Sequence, residues 1–98
     1  MRRPVRLLPQ ARAEFDEAVD WYDDRGEGLG KRFITQVRQV FDQIAADPER
    51  HAPIHLDIRK ALASKFPYAI LYRTEGEEVV VISVFHTSRD PSAWKSRA

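Results

Sequence analysis

The sequence of 98 residues contains no cysteine. Disulfides and thiolate metal sites are therefore excluded. No apolar run reaches the length that a membrane-spanning helix needs, and the first residues hold no signal-peptide core. A cytoplasmic location, with no membrane partner, is the expectation. Charge of one sign is also lacking, because 16 Lys and Arg stand against 15 Asp and Glu for a net charge of +1. A general nucleic-acid coating protein would carry more positive charge, although a local basic patch is compatible with this balance. There are no repeats or low-complexity segments, and the one cluster of glycines, GEGLG at 26–30, does not follow a strand as a phosphate-binding loop would. What is present is a globular composition, 43% hydrophobic with two Trp, three Tyr and five Phe. That suffices for one modest core and one domain spanning 1–98.

The pattern of apolar residues predicts an α+β order of β-α-α-β-β-β. VRLL at 5–8 reads as a short strand, and Pro9 ends it and opens a helix. Ala11, Phe15, Ala18, Val19 and Tyr22 recur at helical spacing between Gln10 and Asp24. Glu14, Asp16, Glu17 and Asp20 fall on the other, solvated face. A second helix starts near Leu29, with Phe33, Val37, Val40, Phe41 and Ile44 in one stripe, and stops at Asp47-Pro48. The short link between the two implies an antiparallel helical hairpin. PERHAPIH at 48–55 reads as a loop. Strands are expected at 56–62, 65–74 and 78–86, the last two joined by a two-residue loop at Glu75-Gly76. The helical hairpin then packs on one face of a small, mostly antiparallel sheet.

That loop sets a register in which Arg73 faces Glu78 as a cross-strand ion pair, Tyr68 faces Ser83 and Lys65 faces His86. One sheet face would carry Phe66, Tyr68, Ile70, Tyr72, Val79, Val81 and Phe85. The other would carry Ala69, Leu71, Arg73, Val80, Ile82, Val84 and His86. Two helices can cover only one face, so the second is expected either to lie open as a partner surface or to be shielded by a second copy or the C-terminal tail. Arg73 and His86 stand at opposite ends of the hairpin, roughly 25–30 Å apart at ~3.3 Å per residue, so they cannot share a site.

The stretch FHTSRDPSAW at 85–94 gathers chemistry-bearing side chains at a strand end. His86 as a proton carrier, with Lys65 and Arg89 polarising a phosphodiester, would make a metal-independent nuclease site. The simpler reading has His86 bonding the backbone where the strand ends, Asp90-Pro91 opening a short helix and Trp94 anchoring the tail. His51 and His55 are four apart, but Pro53 between them argues against a helical metal pair, and no metal or other cofactor is expected.

Taken in order, LLPQARAEFDEAVDWY, the DPERHAP break and FPY…LY…ISVFH…RDP…W resemble the RelE/ParE superfamily of toxins, over nearly the whole chain. The resemblance implies a small cytoplasmic toxin from a two-gene toxin–antitoxin module, of the kind linked to plasmid stabilisation. A cognate antitoxin would neutralise it by laying a segment across it in a hetero-oligomer. RelE-like members cleave mRNA on the ribosome, whereas ParE-like members inhibit DNA gyrase by binding. RelE-like chains tend to carry Arg, Arg and Tyr where this sequence has Ala69, Thr87 and Trp94, so the ParE-like branch is favoured and no catalytic residue is expected. Within that reading, Leu71, Val80, Ile82 and Val84 form the antitoxin surface with Arg59 and Arg73 as its charged rim, and His86, Arg89 and Trp94 face the target. The alternatives are an mRNA interferase using Lys65, His86 and Arg89, and a non-toxic dimerisation module.

Overall fold

The structure, a computed structural model, describes residues 2–97. The chain runs β1 (Val5–Leu7), α1 (Pro9–Arg25), α2 (Leu29–Ala46), β2 (Pro53–His55), β3 (Ile58–Leu62), β4 (Tyr68–Glu75), β5 (Glu78–His86) and α3 (Ser92–Lys95). The predicted helical hairpin on a small sheet is what forms. The sheet has one more strand than expected, in the order β1-β5-β4-β3-β2, and only the β1–β5 pair is parallel. The extra strand, β2, lies within the segment read as a loop. It has three residues, begins at a proline and sits on the sheet edge, where a missing N–H breaks no ladder.

Pro9 occupies the first turn of α1, where its missing N–H is no loss. Ala11, Phe15, Ala18 and Tyr22 are its buried stripe. The stripe of α2 is Phe33, Val37, Val40 and Ile44. Gly30 is buried at the start of α2, where a Cβ would meet the Asp23 carboxylate of α1, an exposed side chain that would have to turn away. Against the inner sheet face these stripes meet Ala61, Tyr68, Ile70, Tyr72, Val79, Val81 and Val84. The Phe33 ring lies within 6 Å of the rings of Phe15, Tyr22, Phe66 and Tyr68.

The β4–β5 hairpin departs from the expected register. Its loop is Gly76-Glu77, since Glu75 pairs with Glu78. Gly76, at φ 59°, takes the first loop position, as a type II′ turn requires, rather than the second. Arg73 therefore faces Val80 instead of Glu78. The guanidinium pairs within its own strand with Glu75 at 2.8 Å, while Glu78 pairs with Arg6 at 3.0 Å. A bulge then adds a residue: Tyr72 faces Val81, whereas Leu71 faces Ser83. Beyond the bulge every β5 side chain changes face relative to the expectation. Val84 turns inward to the helices and Phe85 turns outward. Tyr68, not Lys65, stands opposite His86.

The outer face holds Ile58, Ala69, Leu71, Val80, Ile82 and Phe85, and Trp94 of α3 packs on it. Leu71, Val80 and Ile82 are no more than 1% exposed. Of the alternatives for this face, the structure has the C-terminal tail folding back to shield it, which corrects the reading of Leu71, Val80 and Ile82 as an open surface.

Candidate functional site

Where β1 stops, β5 continues alone along that edge, and its bulge leaves backbone groups without strand partners. Glu14 of α1 fills the gap. Its Oε1 accepts from Val84 N–H at 3.1 Å and from Ser83 Oγ at 2.9 Å. Arg97, from the far end of the chain, donates to the Ile82 carbonyl at 3.0 Å and to both Glu14 oxygens at 2.9 and 3.2 Å. Both side chains of this bidentate pair are largely buried. Charge-assisted bonds of this kind are strong and geometrically specific. Glu14 was expected on the solvated face, and Arg97 was not singled out. The available signal was the position of Glu14 beside the stripe, three residues after Ala11 and four before Ala18.

This clamp fixes the β5 end from which His86 projects. A groove of about 360 Å³ opens there between α1 and the turn after β5, lined by Glu14, Glu17, Tyr22, Tyr68, His86 and Arg89 among others. The imidazole stands edge-on to the Tyr68 ring at 5.1 Å. Ser88 N–H donates to His86 Nδ1 at 3.1 Å, and Ser88 Oγ lies 2.7 Å from the same nitrogen. A backbone donor on Nδ1 places the proton of the neutral ring on Nε2. The Tyr68 phenol is held protonated to higher pH than usual, first by burial and then by Tyr22, Glu14 and Glu17, with Arg89 acting in the opposite sense.

Of the proposed nuclease trio, the groove unites His86 and Arg89 but not Lys65, which lines a separate groove with Lys31 and Arg32. Asp90 Oδ1 accepts from Ser92 N–H at 3.0 Å at the start of α3, and this bond is the main cause of its lowered carboxyl pKa. Trp94 is 4% exposed against Phe85 and His55, so it anchors the tail and presents little to a target. Among the expected antitoxin contacts, Val84 is in the inner core and Leu71, Val80 and Ile82 are under cover. Strand alternation puts Arg59 opposite Tyr72 on the inner side. There its Nη1 donates to the carbonyls of His51 (2.6 Å) and Glu49 (3.3 Å). Tyr72 Oη donates to Pro48 at 2.7 Å, so both residues hold the DPERHAP break rather than a partner. Arg73, near the hairpin tip, is partly exposed and paired with Glu75. Another groove, of about 390 Å³, crosses the outer face beside Trp94, between Ile54, Lys60, Leu71, Phe85 and Lys95. Among the described residues no group of three or more His, Asp or Glu side chains is placed to hold a metal ion.

The fold is shared with known structures. The chromosomal ParDE toxin–antitoxin system from P. aeruginosa contains a chain that superposes with a TM-score of 0.76 at 13% identity, covering 89% of this chain and 98% of that one. The RelBE2 toxin–antitoxin complex from Mycobacterium tuberculosis gives a TM-score of 0.60 at 20% identity, over 91% and 95% of the two chains. No curated protein matches the sequence significantly. The model of the ParE toxin of the parDE type II toxin–antitoxin system matches residues 5–91, nearly the whole chain, which therefore belongs to the ParE family of toxins.

Proposed function

We propose that this toxin acts by binding DNA gyrase in the cytoplasm and that a cognate antitoxin neutralises it. The observation that carries the reading is the setting of His86. Metal-independent RNA cleavage needs a proton acceptor and cations to hold the phosphodiester. His86 Nδ1 is already occupied by Ser88, and its Nε2 carries the proton of the neutral ring. The groove around it offers one cation, Arg89, beside the carboxylate of Glu17, while the charge of Glu14 is already met by Arg97. Such a lining has no surplus of positive charge with which to hold a phosphodiester, and it suits a polar protein surface. His86 and Arg89 are the proposed target contacts, with Trp94 holding their turn in place from beneath.

The antitoxin is proposed to lie along the outer-face groove. Ile54, which is 44% exposed, offers it apolar contact above a floor of Leu71, Phe85 and Trp94, and Lys60 and Lys95 form a charged rim. Val80 and Ile82 lie beneath and take no direct part.

A supercoiling assay with the purified chain, run beside a translation-coupled cleavage assay, tests the reading. Gyrase supercoiling is lost and ribosome-bound mRNA stays intact, and His86→Ala, which removes one of the two proposed target contacts, weakens the inhibition without abolishing it. Cleavage of mRNA that disappears in His86→Ala, with gyrase unaffected, would replace this reading with the interferase.

A further inference from the structure

Lys65, separated from His86 by the register, lies on a groove of about 200 Å³ between the first turns of α2 and the loop joining β3 to β4. Its lining is Lys31, Arg32, Thr35, Gln36, Lys65 and Phe66. The ion pairs among the described residues engage Arg2, Arg6, Arg12, Arg73 and Arg97, and none engages Lys31, Arg32 or Lys65. Three like charges thus converge without a carboxylate, a mutually repulsive arrangement in the isolated chain.

Of the two other polar side chains in the groove, one adds donors. Thr35 does not, because its Oγ1–H is spent on the Lys31 carbonyl at 3.0 Å. Gln36 Oε1 accepts from Ser64 Oγ at 2.7 Å, which leaves the Gln36 amide N–H groups as donors. Lysine and arginine add donors only. Beside them stands an apolar wall, the Phe66 ring, fixed edge-on against Tyr22 and Phe33 at 4.9 and 5.3 Å.

The extent of the patch identifies the ligand class. Along α2 the positive charge ends at Arg38, roughly 10 Å from Lys31 at ~1.5 Å per residue. The next charged residue on the helix, Asp42, is already paired with Arg2. The adjacent α1 exposes Asp16, Glu17, Asp20, Asp23 and Asp24. A polynucleotide requires a continuous track of cations for its evenly spaced phosphates. A zone this short, bounded by acids, fits two or three carboxylates. We propose that this groove docks an acidic segment of a protein partner, its Asp or Glu side chains on Lys31, Arg32 and Lys65 and an apolar side chain against Phe66. The proposal is independent of whether gyrase is the target, and it uses a surface distinct from both grooves described above.

The test uses the full chain and a fluorescein-labelled 12-residue peptide of Asp and Glu with one central Phe, followed by anisotropy in low salt. A single-stranded 12-nucleotide DNA is the parallel probe. The peptide binds, and Lys31→Glu with Lys65→Glu weakens it by about tenfold or more, as loss of close charge pairs predicts. Arg12→Glu, the same kind of charge reversal on α1, leaves it nearly unchanged. Amide shifts on titrating the unmodified chain map to residues 31–36 and 64–66, which places the site even if the double variant folds poorly. Absence of peptide binding, shifts elsewhere, or equal loss in Arg12→Glu would overturn the proposal. So would tighter binding of the DNA that Lys31→Glu with Lys65→Glu abolishes.

Discussion

The two faces of the sheet carry similar apolar side chains but are covered by different means. The inner face lies under two helices of 17 and 18 residues, whose aromatic rings interlock in several directions. The outer face lies under a tail with a helix of four residues, one indole and one guanidinium reaching back to Glu14. Burial is equally complete, since both faces include residues at 0% exposure. Redundancy is not equal. Many contacts must fail together to open the inner face, whereas the outer face depends on a few. Local stability in proteins varies in this way, and the elements that partners engage come from its weaker end. The same asymmetry separates the ways a partner can act, since the helical side offers it a fixed surface and the tail side is where its binding energy can shift local order.

The largest effect comes from breaking the inner face. Phe33→Ala removes a ring that is 0% exposed and touches four other aromatic rings, and costs about 4 kcal/mol. For a domain of ordinary stability, ~5–15 kcal/mol, that is a large share, and urea denaturation should show it as a global loss in one transition. Trp94→Ala deletes a comparable volume from the outer cover. Its effect should be local: amide exchange speeds up in residues 82–97 while α1 and α2 keep their protection. Global loss of protection in Trp94→Ala would mean that the two faces form one cooperative unit, and the comparison would fail.

A smaller effect comes from the clamp that joins the faces. Glu14→Ala strands the Arg97 guanidinium and leaves Val84 N–H and Ser83 Oγ without their acceptor, at about 3 kcal/mol. Arg97→Ala should cost less, about 1–2 kcal/mol, because Glu14 keeps its bonds to the bulge. The ordering is the useful part. If Arg97→Ala proved the worse of the two, the tail rather than the bulge would be what Glu14 secures.

Much of this architecture is legible in the sequence, and the rest is hidden for definite reasons. The helical stripes are readable because burial on one face imposes a 3.6-residue period, and the strand class of 78–86 because β-branched residues fill it. The ordered set of short motifs carries the resemblance that the family match then shows. The bulge is invisible, because it depends on acceptors and donors supplied by residues 14 and 97 rather than on any local signal. Once it is missed, Val84 and Phe85 exchange faces and the Lys65–His86 pairing is lost. The turn error is smaller and chemical in origin. Glycine serves the second position of a type I′ loop and the first of a type II′ loop, and the sequence alone does not choose. Arg59 was misread because an arginine on a strand looks like a rim charge until the carbonyls of residues 49 and 51 are brought to it.

The smallest predicted effect separates the faces by pH. His51 lies in the DPERHAP break on the inner side, edge-on to Tyr72 at 6.4 Å, with a buried Nε2 that has no hydrogen-bond partner. Burial lowers its pKa, the Arg50 charge lowers it further, and Asp47 opposes them. A lowered pKa means that the folded chain keeps this ring neutral while the unfolded chain takes up a proton. Its contribution to stability is therefore present above the ordinary value of 6.5 and is lost as pH falls from there toward the folded-state pKa. Urea midpoints measured from pH 7.5 down to 5.5 should fall, and His51→Gln should flatten part of that slope. Trp94→Ala should leave the slope as it is, because the outer cover takes no part in this titration. If His51→Gln kept the full slope and Trp94→Ala removed it, the pH-sensitive element would belong to the tail, and the division between a fixed side and an adjustable side would have to be redrawn around it.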